Sequence, residues 1–62
     1  MDRLLTIEEV AEVTRVSTNT LRYWRHKGKG PRGARMGGGK RLVYRESDVT
    51  RWVDEQFSKE SA

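Results

Sequence analysis

The sequence predicts a small α+β domain, mostly α-helical, whose elements follow the order helix, helix, β-hairpin, helix. Two observations support this prediction. Apolar residues recur at helical spacing in three segments, and a residue type that favours helix starts precedes the first two. A glycine-rich stretch followed by strand-forming residues separates the second segment from the third. A length of 62 residues allows one domain at most, which we expect to span residues 1–62 with an ordered core at about 4–57.

The first helix is predicted at residues 7–13. Thr6 and Glu9 have the spacing of a capping box, in which a hydroxyl and a carboxylate each accept a hydrogen bond from a free backbone N–H at the helix start. The apolar stripe of this helix consists of Ile7, Val10 and Ala11, and it can include Val13. We expect Leu4 or Leu5, just before the cap, to close the stripe as a hydrophobic staple.

The second helix is predicted at residues 18–27, between Ser17 as its N-terminal cap and Gly28 at its C-terminal end. Leu21 and Trp24 are three residues apart and therefore face inward together. The opposite face displays Thr18, Asn19, Arg22, Tyr23 and either Arg25 or His26. Two short helices joined by a turn of about three or four residues, with polar and basic side chains exposed on the second, are typical of a helix-turn-helix.

A β-hairpin is predicted around the "GGGK" stretch. The preceding segment "KGKGPRGARM" contains three glycines and the only proline, which exclude a helix there. We expect strands at 34–36 and 41–44, with the glycines between them supplying positive φ angles at the turn. Met36 and Tyr44 are predicted in the core. The second strand places Leu42 and Tyr44 on one face and Arg41, Val43 and Arg45 on the other, where Val43 has no assigned role.

The third helix is predicted at residues 46–56. Glu46 and Asp48 suit the positive end of its dipole. Its buried stripe is predicted to contain Val49, Trp52, Val53 and Phe57. We expect Trp24 and Trp52 to fill the core, because so short a chain needs large side chains to build one. The polar end, residues 58–62, is expected to be frayed.

The composition excludes several classes of protein. No cysteine occurs, so disulfides and thiolate metal sites are excluded, and a reducing compartment is expected. Because His26 is the only histidine, we expect neither a metal nor another cofactor. No apolar run is long enough for a membrane span or for a signal peptide, which favours a cytoplasmic location. No arrangement of nucleophile and base is available, so we do not expect an enzyme.

Basic residues are concentrated in one block of the chain. Between Val13 and Arg45 there is no Asp or Glu, and all nine acidic residues lie outside this block. Its ten basic residues are Arg15, Arg22, Arg25, Lys27, Lys29, Arg32, Arg35, Lys40, Arg41 and Arg45. Because charges of one sign repel one another unless a polyanion is present, the block favours nucleic acid as the partner, ahead of an anionic membrane surface.

The sequence "MGGGKR" has three possible interpretations. A phosphate-binding loop requires a Ser or Thr after its lysine and a helix beyond it, but here Lys40 is followed by Arg41 and a strand-like run. A plain hairpin turn without function is possible. We favour a hairpin tip that lies against a nucleic acid backbone, since a tip without side chains approaches a narrow groove closely. The residues of this predicted wing are Arg35, Gly37, Gly38, Gly39, Lys40 and Arg41.

Three features of the chain carry a resemblance to a known family. The run "VSTNTLRYWRHKG", the glycine-tipped basic hairpin and the segment "YRESDVTRWV" resemble the winged helix-turn-helix of the MerR superfamily, over about residues 4–57. In particular, the chain resembles the small stand-alone excisionases, or recombination directionality factors, of phages and integrative elements. The resemblance implies that the second helix is the recognition helix and enters the major groove, while the wing enters the adjacent minor groove. The implied contact residues on that helix are Ser17, Thr18, Asn19, Arg22, Tyr23 and Arg25.

The resemblance also implies a biological role. Excisionases bind double-stranded DNA at attachment-site repeats and direct a partner integrase toward excision, in the nucleoid of a bacterial host. We therefore expect a monomer in solution that assembles side by side with other copies on DNA and bends it. MerR regulators continue into a dimerisation helix and an effector domain that these residues do not include, so we expect neither ligand sensing of that kind nor that mode of dimerisation. A transcription regulator on the same fold and an RNA-binding module are the alternatives.

Overall fold

A computed structural model describes residues 2–60 and contains three helices and one three-stranded antiparallel sheet. The elements in chain order are strand β1 at Leu4–Thr6, helix α1 at Ile7–Thr14, helix α2 at Thr18–His26, strand β2 at Gly33–Arg35, strand β3 at Leu42–Arg45 and helix α3 at Glu46–Glu60. A short 3-10 turn at Met36–Gly38 lies between β2 and β3. The mostly helical winged helix-turn-helix predicted from the sequence is confirmed.

Strand β1 was not predicted. It pairs with β3, so that β3 is the central strand and the sheet order is β1-β3-β2. Leu5 lies opposite Tyr44 and is buried, whereas its neighbour Leu4 points to the other face and is exposed. A three-residue strand is too short to show a period of two in the sequence, and its partner lies far along the chain.

The predicted capping box at the start of α1 is present. Thr6 Oγ1 accepts a hydrogen bond from the Glu9 backbone N–H at 3.1 Å, and Glu9 Oε1 accepts one from the Thr6 N–H at 2.8 Å. The bond from the Thr6 N–H favours the ionised carboxylate of Glu9. It is the main reason why the pKa of Glu9 lies below its ordinary value. Helix α1 therefore has a fixed starting point directly after strand β1.

The turn of the helix-turn-helix occupies residues 15–17. Arg15 ends α1 in the left-handed conformation with φ of 61°. Ser17 Oγ then accepts a hydrogen bond from the Thr20 N–H at 3.2 Å, which confirms Ser17 as the cap of α2. At the other end of α2 the N–H of Lys29 donates to the carbonyl of Trp24 at 2.7 Å and that of Gly28 donates to Arg25 at 3.3 Å. This is a Schellman motif, and the positive φ that it requires falls on Gly28, as predicted.

The hydrophobic core lies between the helices and one face of the sheet. Its buried members are Leu5, Ile7, Val10, Leu21, Tyr44 and Val49. Trp24 packs against this cluster, and its ring centroid is 5.6 Å from that of Trp52 with the planes tilted by 49°. Both tryptophans are half-buried, so they form an aromatic pair at the margin of the core instead of its centre.

Helix α3 begins with a cap supplied from the other end of the chain. The Asp2 carboxylate accepts hydrogen bonds from Ser47 Oγ at 2.6 Å and from the Ser47 backbone N–H at 3.2 Å. The hydrogen bond from the Ser47 hydroxyl is the main reason why the pKa of Asp2 lies below its ordinary value. The N–H of Glu46 also donates to the carbonyl of Arg3, at 2.9 Å. Residues 2–3 therefore tie the start of α3 to strand β1.

Several predictions about individual apolar residues were wrong. Met36 is 44% exposed and Phe57 is 73% exposed, so neither belongs to the core. Met36 lies in the turn after β2, and Phe57 lies in the second half of α3, where none of the described residues buries it. Val43 is only 8% exposed, because it lies on the central strand between Thr6 and Ala34.

The third helix is longer than predicted. It continues to Glu60, beyond its predicted end at residue 56, so residues 58–60 are part of the helix. The rest of the predicted frayed end, Ser61 and Ala62, lies outside the described residues. None of the helices in residues 2–60 combines the length and the apolar character that crossing a membrane requires.

Candidate nucleic-acid interface

Helix α2 presents polar and basic side chains on the face that points away from the core. Asn19, Arg22 and Tyr23 are exposed, whereas Thr18 and Arg25 are half-buried. The Lys27 ammonium lies 5.8 Å from the centroid of the Tyr23 ring, which is 58% exposed. The outward face of α2 therefore carries the cations of Arg22 and Arg25 and the aromatic ring of Tyr23, beside short polar side chains.

Ser17 differs from the other predicted contact residues of this helix. Its hydroxyl oxygen accepts from the Thr20 N–H, and the hydroxyl itself donates to Thr20 Oγ1 at 3.0 Å. Because the hydroxyl is used within the protein in both directions, its first role is to fix the start of α2.

The predicted wing is the turn between β2 and β3. The N–H of Met36 donates to the carbonyl of Arg41 at 2.9 Å, and the N–H of Gly39 donates to the carbonyl of Met36 at 3.0 Å. Gly37 and Gly38 have φ of 60° and 70°, a region that residues with a Cβ enter at a cost. Arg35 Nη1 donates to the carbonyl of Lys40 at 3.0 Å and so closes the base of the turn.

An open groove separates α2 from the wing, and we call it the basic cleft. Arg22, Arg25 and His26 line it from α2, while Arg35, Lys40 and Arg41 line it from the wing side. The start of α1 and strand β3 contribute Thr6, Ile7, Glu8 and Leu42. Five of these side chains are Arg or Lys and one, Glu8, is a carboxylate. The fold thus brings most of the predicted recognition-helix and wing cations to one surface.

The cations of the basic cleft take part in none of the ion pairs among residues 2–60. The four ion pairs there join Arg3 to Glu9 at 3.3 Å, Arg3 to Glu46 at 3.9 Å, Arg45 to Asp48 at 2.8 Å and Arg51 to Asp48 at 3.7 Å. Arg45 is therefore an exception to the predicted unpaired block, because β3 runs directly into α3 and its Asp48. The cleft is left with a strongly positive surface.

Tyr44 belongs to the hydrophobic core and is the titratable group on which two arginines of the cleft act. Its side chain is buried, and burial raises the pKa of its hydroxyl, while the charges of Arg25 and Arg22 act in the opposite direction. At neutral pH the hydroxyl stays protonated and adds no charge to the surface.

Sequence reasoning missed two features of this surface. Glu8 was not expected near the wing, because the contact between the start of α1 and the hairpin is formed only in the tertiary structure. The sequence placed either Arg25 or His26 on the outward face of α2, whereas both line the cleft. Within residues 2–60 no group of three or more His, Cys, Asp or Glu could hold a metal ion.

Comparison with known families gives one match. Residues 4–56 match the family described as "Helix-turn-helix domain", over a range that runs from the first residue of β1 into the second half of α3. No curated protein and no solved structure gave a significant match.

Proposed function

We propose that this chain, which belongs to the helix-turn-helix domain family and is a small DNA-binding protein, is an architectural protein of site-specific recombination. In this proposal it acts as an excisionase on double-stranded DNA. Several copies bind neighbouring repeats of an attachment site, bend the DNA, and direct a partner integrase toward excision.

One observation carries the DNA-binding part of the proposal. Helix α2 and the wing line the same basic cleft, and none of its five Lys and Arg side chains has an ion-pair partner among the described residues. The major groove of B-DNA admits a helix, and the narrower minor groove admits a thin hairpin tip. A molecule that presents both elements on one basic surface can engage two adjacent grooves at once.

The proposed roles of the side chains follow from their exposure. Asn19 and Arg22 are exposed on α2, and their side chains have the geometry that pairs with adenine and guanine edges respectively. Thr18 and Tyr23 are placed for contacts with the neighbouring phosphates. On the wing, Gly37 to Gly39 approach the minor groove closely, and Arg35, Lys40 and Arg41 bind the phosphates that flank it.

The architectural role is supported by the resemblance to small excisionases and by the size of the molecule. Bending a site of 20 to 30 base pairs costs on the order of 1 to 6 kcal/mol. A chain with a radius of gyration of 11.7 Å covers only a short length of duplex. Several copies on adjacent repeats would share the cost, which favours side-by-side assembly over the action of one monomer.

Footprinting on an attachment-site fragment, combined with an in vitro recombination reaction, tests this proposal. We expect protection of several adjacent repeats and stimulation of excision by the cognate integrase. Protection of a promoter without any effect on excision would replace the excisionase role by transcription regulation on the same fold. Structured RNA should compete poorly against double-stranded DNA, because A-form RNA hides its major groove from a helix; strong competition by RNA would contradict the proposal.

A further inference from the structure

Arg25 lies half-buried in the basic cleft. Its Nε is buried, and it has no hydrogen-bond partner among residues 2–60. A guanidinium cannot lose its charge in a protein, and buried donors of this kind are nearly always paired. No carboxylate in residues 2–60 forms an ion pair with Arg25. The Nε itself is too buried to be reached, but the terminal nitrogens of Arg25 are not buried and make no hydrogen bond among residues 2–60, so they are the atoms open to a ligand from another molecule.

The surroundings of Arg25 restrict the chemistry of that ligand. Arg22 lies on the preceding turn of α2, and the wing brings Arg35, Lys40 and Arg41 to the other side of the cleft. Glu8 is the only carboxylate in the lining. A cation would be repelled here, and an oxyanion would be attracted from several directions.

The position of the cleft identifies the source of the oxyanion. The major and minor grooves of a duplex are separated by one sugar-phosphate backbone. If α2 occupies one groove and the wing occupies the next, as proposed above, the backbone between the two grooves must pass through the space between α2 and the wing. That space is the basic cleft, and Arg25 lies in it.

We propose that Arg25 holds one phosphate of this backbone in the basic cleft and does not read a base. The inference rests on the proposed DNA-binding function and specifies one residue of it. The planar fork of an arginine matches two oxygens of a phosphate, and the half-buried setting of Arg25 keeps its side chain in place before binding. Arg22 is more exposed on the same helix and keeps the role of base reader. Arg25 fixes the register of the protein on the duplex, and its contribution does not depend on sequence.

The experiment compares the wild type with Arg25→Gln, Arg25→Lys and the matched control Arg51→Lys. Arg51 is exposed on α3, is ion-paired with Asp48, and does not line the cleft. The probe is a duplex that the wild-type protein selects from a randomised pool, together with a set of the same duplexes in which single phosphates are replaced by neutral methylphosphonates. Affinity is measured for every combination, and circular dichroism melting verifies that each variant is folded.

We expect Arg25→Gln to lower affinity about tenfold on the selected duplex and by the same factor on an unrelated one, and to reduce the slope of log affinity against log salt by about 0.9. Arg25→Lys should keep the salt slope but lose part of the affinity, since a lysine lacks the fork. One methylphosphonate position should weaken the wild type and the Arg51→Lys control, yet have no further effect on Arg25→Gln.

The outcomes separate this inference from the function on which it rests. If the wild type binds no duplex at all, the proposed DNA-binding surface is wrong and the inference falls with it. If the wild type binds a duplex normally but every methylphosphonate affects Arg25→Gln as much as the wild type, only the phosphate assignment is overturned. A loss of affinity confined to the selected sequence would also overturn it, because that result identifies Arg25 as a base reader.

Discussion

Arginine residues occur on two surfaces of the molecule in different electrostatic settings. On the basic cleft, Arg22, Arg25 and the wing cations have no ion-pair partner among the described residues. On the surface formed by residues 2–3, the end of β3 and the start of α3, Arg3, Arg45 and Arg51 are all paired with carboxylates. The two pairs of Arg3, which are exposed on both sides, contribute only about 0 to 1 kcal/mol each. The two surfaces therefore differ in whether their cations are paired, and the basic cleft leaves its cations available to a polyanion.

The difference follows directly from the order of residues along the chain. Acidic residues occur only before Thr14 and after Arg45, so they fall on α1, α3 and the N-terminal residues. The segment between them forms α2, the wing and the strands that support it. One block of sequence therefore becomes one basic surface, apart from Arg45, which reaches Asp48.

The response to salt is the largest expected effect. If about six phosphates are neutralised by the basic surface, affinity for duplex DNA should fall by roughly 10³ between 50 and 200 mM salt, because bound cations release counterions from DNA. Fluorescence anisotropy with a labelled duplex measures this dependence. Affinity that does not change with salt would show that the unpaired cations do not bind phosphates.

A substitution in the wing provides a direct comparison of the two surfaces. Replacing both Lys40 and Arg41 by Ala should weaken DNA binding about 10- to 100-fold, since two charged contacts are lost and the turn itself is held by backbone hydrogen bonds. The matched control replaces Arg45 and Arg51 by Ala. It removes the same amount of charge from the surface on which arginines are paired with Asp48, so its effect on DNA affinity should be small. Equal losses in the two double variants would mean that only net charge matters.

A single substitution on α2 should have a smaller effect. Arg22→Ala is expected to lower affinity for a selected duplex about tenfold and to reduce the preference for that sequence, since one good base contact contributes about 1 to 3 kcal/mol of discrimination. Arg22 makes no hydrogen bond or ion pair among residues 2–60, so the melting temperature should stay the same. A large drop in melting temperature would identify Arg22 as a structural residue.

Where Glu9 pairs with Arg3, we expect pH to change the stability of the fold and not the affinity for DNA. This is the smallest of the expected effects. The pKa of Glu9 is lowered below its ordinary value of 4.5, chiefly by the hydrogen bond from the Thr6 N–H. The carboxylate therefore stabilises the folded state above pH 4.5, and this contribution is lost as the pH falls through the lower folded-state pKa. Thermal melts of the wild type and Glu9→Gln should differ at neutral pH and converge in acid. A difference that is independent of pH would contradict the role given to the ionised carboxylate.

Local chemistry made much of the fold predictable. The caps at Thr6 and Ser17, the end of α2 at Gly28 and the positive φ angles of Gly37 and Gly38 each depend on a few neighbouring residues, so the sequence alone indicates them. Strand β1 was missed, because its pairing depends on β3, far along the chain. The exposure of Phe57 was missed because helical periodicity indicates a shared face but not whether another element covers it.

The candidate site was predictable in its members but not in its arrangement. The basic block gave the cations, and the capped second helix and the glycine-rich turn gave the elements that carry them. The cleft between these elements, the carboxylate of Glu8 at its edge and the buried Nε of Arg25 depend on how α1, α2 and β3 pack together. Tertiary packing of this kind leaves no local signal in the sequence.

Titration of the ¹⁵N-labelled protein with duplex DNA, followed by amide chemical shifts, tests the central claim most directly. We predict that the largest changes occur at residues 18–26 and 35–41, on α2 and the wing, and that the second half of α3 shows little change. Changes centred on α3, or the absence of any change when duplex is added at low salt, would contradict the assignment of the basic cleft as the DNA-binding surface.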